Sequence, residues 1–194
     1  MILPPYVHKG PESEFKAHFE ALLGATGLPC MLYNNPPAYG FDAQAEFIAD
    51  LAQRFENLRA VKESSGDVRR ISALRALLGQ RLALFAGLDD MVLEAALLGA
   101  DGWIAGLINA LPAESMRLFH LAQTGRRAEA EQLYRWFLPL LRLDCLPDFV
   151  QWIKLVQVEV GRGSERLRAP RRAIEGPARE RGLAMIRARL AQAR

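Results

Sequence analysis

The chain of 194 residues has little cysteine, little histidine and no long apolar run. Two cysteines, Cys30 and Cys145, give no disulfide framework, and a reducing, cytoplasmic setting is expected. Cys30 lies in an apolar run and reads as a small buried hydrophobe. His8, His18 and His120 show no metal-ligand spacing, so no metal is expected. The sequence lacks the run of about 18 apolar residues that a membrane-spanning helix needs, and mean hydropathy is near zero. The first residues, Met-Ile-Leu-Pro-Pro-Tyr, have neither the basic region nor the sustained apolar stretch of a signal peptide. Gly161-Arg162-Gly163 follows a helical pattern rather than a strand, so it is not a phosphate loop. No cofactor is expected.

Acidic charge is scarce only at one end. Residues 162–194 hold ten Arg and three Glu, a net +7; the whole chain carries +3, which leaves −4 on residues 1–161. The arginines are spread and no aromatic lies among them. They read as solvated helix surface and loop rather than a nucleic-acid interface.

What is present is alternation. Short apolar runs fall near 1–5, 28–33, 58–62, 82–86 and 102–106, with amphipathic segments between them. Phe15, Phe19, Leu22 and Leu23 share one face over 12–24. Asp42 can cap a helix bearing Phe47, Ile48, Leu51 and Phe55; Asp67 can cap 68–78. Asp89 or Asp90 can start a helix that Gly99 stops. Such βα units feed a parallel sheet. From Pro112 onward the pattern is helical: 112–124, 126–142 with Pro139 as a kink, 147–160, and 177–192.

Lys62 stands where the run Leu58-Arg59-Ala60-Val61 meets the turn Glu63-Ser64-Ser65-Gly66-Asp67. A lysine at the mouth of a buried strand is costly unless used. Burial favours the neutral amine, a nucleophile able to form a Schiff base with a carbonyl. The alternative is an ammonium that snorkels to the strand end or pairs with Glu63. A second run, Leu28 to Leu32, ends in Tyr33-Asn34-Asn35-Pro36, with Tyr33 29 residues before Lys62. Tyr33 reads as a proton-transfer group or as a core tyrosine with a satisfied hydroxyl.

The pair YNNP and VKESSGD resembles the dihydrodipicolinate synthase / N-acetylneuraminate lyase family of Schiff-base lyases. Gly87-Leu88-Asp89-Asp90, Gly99-Ala100-Asp101-Gly102-Trp103-Ile104 and Asn109-Ala110-Leu111-Pro112 extend the resemblance along nearly the whole chain. It implies a partial (β/α)8 barrel, about strands 4–8, followed by a C-terminal helical extension. The expected division is 1–111 for the incomplete barrel and 112–194 for the last barrel helix and the helices beyond it. A full barrel typically takes about 250 residues. Position 1 aligns with the family's fourth strand, so the Gly-Thr-Thr-Gly-Glu-type loop that holds the substrate carboxylate is expected to be missing.

The resemblance assigns roles residue by residue. Lys62 forms an imine with a 2-oxo acid, and Tyr33 shuttles the proton. Gly87, Asp89 and Asp90 contact the distal part of the substrate, although Asp89 can equally cap the following helix. Ile104 lines the pocket with its main-chain carbonyl, while Trp103 reads as packing. The family's synthases carry an arginine where Ala38 stands, and a tyrosine given to the neighbouring subunit where Val7 stands between Tyr6 and His8. Tyr134-Arg135-Trp136-Phe137, Asp144, Val150-Gln151 and Lys154 resemble a subgroup of hydroxyproline breakdown. Its substrate would be 4-hydroxy-pyrroline-2-carboxylate and its reaction deamination with dehydration. The expected partners are a small 2-oxo acid or cyclic imino acid and copies of the chain in a dimer or tetramer, with no nucleic acid and no membrane. A rival reading is an inactive fragment whose open sheet edges favour association.

Overall fold

The structure is a computed structural model, and it describes residues 1–192. Its elements are α1 (Glu12–Gly24), β1 (Cys30–Asn34), α2 (Pro36–Tyr39), α3 (Ala45–Arg54), β2 (Leu58–Glu63), α4 (Arg69–Leu78), β3 (Ala83–Ala86), α5 (Val92–Leu97), β4 (Gly102–Trp103), α6 (Pro112–Gln123), α7 (Arg127–Leu141), α8 (Phe149–Glu159) and α9 (Gly176–Gln192). The chain divides into two compact units, 1–87 with 94–104, and 88–93 with 105–194.

The first unit holds a parallel sheet in the order β1-β2-β3-β4. Each strand pairs with the next in sequence, so the order never reverses as it does in a doubly wound sheet. Right-handed crossovers in one direction put their helices on one face. That face carries Leu32, Val61 and Leu84, which join Phe47, Ile48 and Leu51 of α3 and Ile71 and Leu74 of α4 in one buried cluster. Each such side chain contributes about 1.5–3 kcal/mol on burial. Trp103 packs against this cluster, as its place at a strand end suggests.

Side chains alternate along a strand, so the opposite face carries Met31, Tyr33, Lys62 and Phe85, all half-buried. Tyr33 pairs with Lys62, Lys62 with Phe85, and Phe85 with Gly102. Gly102 is needed there: a Cβ would lie 2.5 Å from Phe85 Cε1.

Two expectations need correction. The run over 1–5 makes only a parallel bridge between Ile2 and Leu32, with Ile2 N–H on Met31 O at 2.8 Å and Tyr33 N–H on Ile2 O at 3.0 Å. Pro4 and Pro5 bring no N–H and end the ladder. Asp42 does not cap α3, whose N-cap is Gln44 without a side-chain bond. Its carboxylate instead accepts from Asn34, Gln44 and the buried Arg70. Asp67 does act at the start of α4, accepting the Arg69 N–H at 3.1 Å. Gly99, at φ +94°, ends the segment that contains α5.

The second unit is helical. Leu118, Ala130, Phe137, Leu140, Leu141, Val156 and Ile186 are fully buried. The Trp136 indole N–H donates to Arg189 O at 2.8 Å, which ties α7 to α9. Gly182 lets α9 approach α8, since a Cβ there would lie 2.1 Å from Trp152 Cζ3. Gly125 (φ +73°) and Gly161 (φ +71°) follow α6 and α8, where the left-handed region stops a helix. In the basic tail Arg187 pairs with Glu159 at 2.7 Å. Pro139 lies inside α7, near its end. Among the described residues no helix is long and apolar enough to cross a membrane.

Candidate active site

Lys62 and Tyr33 come together at the ends of adjacent strands. Lys62 Nζ lies 4.4 Å from the centroid of the Tyr33 ring, within range of a cation–π contact. Tyr33 in turn meets Tyr39 edge to face at 5.7 Å, and Tyr39 lies 6.1 Å from Tyr6. Burial raises the Tyr39 phenol above its ordinary pKa, and the neighbouring Tyr33 and Tyr6 add to this.

The two asparagines after Tyr33 have separate tasks that the sequence did not reveal. Asn35 donates Nδ2–H to Tyr33 Oη at 2.8 Å, while its Oδ1 accepts the Ala38 N–H at 3.2 Å and caps α2. Pro36 opens that helix, where its missing N–H costs nothing. Asn34 is buried and turns to the other face. Its Nδ2 donates to Asp42 Oδ1 and Glu63 Oε2, both at 3.0 Å, and its Oδ1 accepts the Ala43 N–H at 2.9 Å.

Glu63 does not meet Lys62 as a partner. Strand alternation places it with Asn34, where Oε1 also accepts the Ser65 N–H at 2.5 Å. Burial raises the Glu63 carboxyl above its usual range; the bonds from Ser65 and Asn34 and the charge of Arg70 act against this. Arg70 closes the network, donating to Asp42 Oδ2 and Ala43 O, both at 2.9 Å. The signal for this network was register: Asn34 and Glu63 each stand two residues past a core position, Leu32 and Val61, on the buried face.

Gly87 is buried against the lysine. Its N–H donates to Glu63 O at 2.9 Å, and a Cβ would lie 1.8 Å from Ser64 Oγ and 2.9 Å from Lys62 Cε. Ser64 Oγ is itself buried with no hydrogen-bonding partner among the described residues. Ile104 is half-buried, with its N–H on Ala86 O at 3.0 Å as the ladder closes. Gly87 and Ile104 thus share the first unit with Lys62 and Tyr33.

Asp89 and Asp90 belong to the second unit. Asp89 is fully buried, and its carboxylate accepts the N–H groups of Gly106 at 3.2 Å and Leu107 at 2.7 Å. Asp90 Oδ1 accepts from Cys145 Sγ at 3.1 Å, and its carbonyl accepts the Tyr134 hydroxyl. Burial, then the contact with Asp90, pushes the Cys145 thiol up to about 12.

The fold class is α/β, with helices and a parallel sheet. Residues 1–189 match the dihydrodipicolinate synthetase family, and the chain belongs to that family. Its relatives include the 4-hydroxy-tetrahydrodipicolinate synthase of Acidobacterium capsulatum, 30% identical over 181 residues, 93% of this chain and 60% of that protein. A Pseudomonas aeruginosa structure assigned as a dihydrodipicolinate synthetase is 31% identical, with a TM-score of 0.89 over 100% of this chain and 66% of that one. The chloride-inhibited dihydrodipicolinate synthase of Acinetobacter baumannii complexed with pyruvate is 27% identical, with a TM-score of 0.86 over 96% of this chain and 64% of that one. The chain spans 60% of the length of the Acidobacterium relative.

Proposed function

We propose that the chain carries the catalytic lysine half of a Schiff-base lyase or aldolase acting on a 2-oxo acid. The observation that carries this reading is Lys62 Nζ held 4.4 Å from the Tyr33 ring, in register at neighbouring strand ends. Lys62 attacks the C2 carbonyl, and loss of water leaves a protonated imine. That imine is an electron sink, so a bond to the neighbouring carbon can break or form. Tyr33 carries the proton to the departing hydroxyl. Gly87 and Ile104 form the wall beside the imine; the family motif supports Asp89 and Asp90 as contacts for the distal part of the substrate.

The sequential strand order and the half-buried row Met31, Tyr33, Lys62 and Phe85 support the further reading of the sheet as part of a (β/α)8 barrel, with that row facing inward. We extend the same reading to a barrel portion over 1–111 and a helical extension over 112–194. A cytoplasmic homo-oligomer, dimer or tetramer, completes it. Pyruvate is the first substrate to try, because the Acinetobacter relative was solved with pyruvate.

A second reading, deamination of a hydroxylated pyrroline carboxylate through the same imine, is favoured by Ala38. This exposed residue stands where lysine-pathway synthases carry an arginine for the second substrate. Incubation with pyruvate and borohydride tests the imine itself. A stable mass on the peptide containing Val61-Lys62-Glu63, lost in Lys62→Ala, supports it. A folded chain labelled at Lys154, or nowhere, overturns the assignment of the imine to Lys62.

A further inference from the structure

We infer that Asn35 is a positioning residue for the Tyr33 hydroxyl, and this rests on the imine reading above. The amide orientation follows from its partners rather than from a choice of conformer. The Ala38 N–H can only donate, so the atom facing it at 3.2 Å must be the amide oxygen. The nitrogen then faces Tyr33 Oη at 2.8 Å, and it can only donate. The phenol oxygen therefore accepts from Asn35, and its own proton must point elsewhere.

The same residue fixes both ends of the arrangement. Asn35 is the N-cap of α2, with Pro36 behind it, and turning the amide would break the bond its Oδ1 takes from the Ala38 N–H, which the Asn35 carbonyl shares at 3.1 Å. The Tyr33 ring has Lys62 Nζ 4.4 Å from its centroid and meets the Tyr39 ring edge to face at 5.7 Å. A free phenol in this setting would spend part of its time with its proton aimed at a wrong acceptor. Asn35 removes that choice before substrate arrives. Such preorganisation lowers the reorganisation needed at the moment of proton transfer.

The step it serves is dehydration of the carbinolamine on Lys62. The C2–OH bond breaks as Tyr33 gives its proton to the departing oxygen, water leaves, and the nitrogen lone pair closes the protonated imine. Asn35 forms no bond to substrate; it acts through Tyr33.

The test measures the rate at which borohydride-trappable pyruvate label accumulates on Lys62 of the full chain. Asn35→Asp keeps an acceptor for the Ala38 N–H but cannot donate to Tyr33; Asn35→Ala removes both bonds. Each is made alone and in a Tyr33→Phe background. Both Asn35 variants should slow labelling by at least about tenfold in the presence of Tyr33 and by less than about twofold in its absence, the non-additivity of residues acting as one. Thermal unfolding of Asn35→Asp should match that of the parent. A rate unmoved by both variants, or equally lowered in the Tyr33→Phe background, overturns the positioning role and leaves the imine reading intact. No label on Lys62 of the unaltered chain overturns the imine reading and the inference with it.

Discussion

Gly87 and Lys62 share one space: a Cβ on Gly87 would lie 2.9 Å from Lys62 Cε and 1.8 Å from Ser64 Oγ. The glycine is required by this close approach. Gly87→Ala should destabilise the protein by about 1–3 kcal/mol, the usual range for overpacking. It should also slow labelling of Lys62, because the amine stem must shift. Ser64→Ala removes the nearer obstacle and should recover part of the stability in the double variant. Denaturant melts of the three variants check this; a Gly87→Ala protein as stable as the parent would contradict it.

The Arg70 guanidinium is buried, and Asp42 across from it is half-exposed. Removing the cation leaves Asp42 short of a partner and the Ala43 carbonyl without its donor. Arg70→Met should cost about 2 kcal/mol, below the range for a fully buried pair because solvent still reaches Asp42. Because Asn34 bonds both Asp42 and Glu63, the loss should also reach the turn behind Tyr33. Hydrogen exchange of the Ala43 amide reports that loosening directly.

Glu63 gives a pH dependence with a definite sign. Its folded-state pKa is raised, with burial as the main cause. A carboxyl raised on folding contributes stability below its unfolded value, and that contribution is lost as pH rises through the folded value. Comparing the parent with Glu63→Gln isolates the term. The stability difference, parent minus variant, should fall as pH rises from just above 4.5, the ordinary value, and then level off. A difference that grows over that window would contradict the burial argument.

Cys145 is exposed as a residue, yet its thiol is pushed up to about 12 by burial of the sulfur and by Asp90. Reactivity follows the thiolate. At pH 8 an ordinary thiol is already about a quarter ionised. Alkylation of Cys145 at pH 8 should therefore be at least about 100-fold slower than for a free cysteine. Asp90→Asn removes the charge and should speed it. Mass spectrometry against iodoacetamide time checks both rates.

Much of this architecture is legible in the residues. Apolar spacing and glycine stops place the helices, because 3.6-residue periodicity and a left-handed glycine act locally. Lys62 and Tyr33 stand out because a polar group ends each apolar run. What stays hidden depends on partners far apart in sequence. Asn34 and Glu63 bond at 3.0 Å only because β1 and β2 align in one register. Asp42 looks like a cap until Arg70, 28 residues on, claims its carboxylate. Asp89 reads as a cap or a substrate contact, and nothing near it in sequence foretells the bonds its carboxylate takes from Gly106 and Leu107. The first strand fails for a reason that is in the sequence, the two prolines at 4 and 5.

On the proposed imine reading, substrate choice would turn on Ala38. It follows the Asn35 cap on a helix of four residues with none buried, so a longer side chain there would meet solvent rather than core. With no guanidinium at this place, a second substrate's carboxylate would lack the bidentate partner that the resemblance to lysine-pathway synthases implies. Condensation of pyruvate with aspartate semialdehyde should accordingly be poor in the enzyme that carries this sequence. A hydroxylated pyrroline carboxylate, which needs only the imine with Lys62, should turn over better. Steady-state rates on the two substrates decide between them, and efficient formation of the lysine precursor would overturn the assignment. Ala38→Arg should raise affinity for the semialdehyde without altering the extent of pyruvate labelling at Lys62, since the arginine acts only on the incoming acceptor.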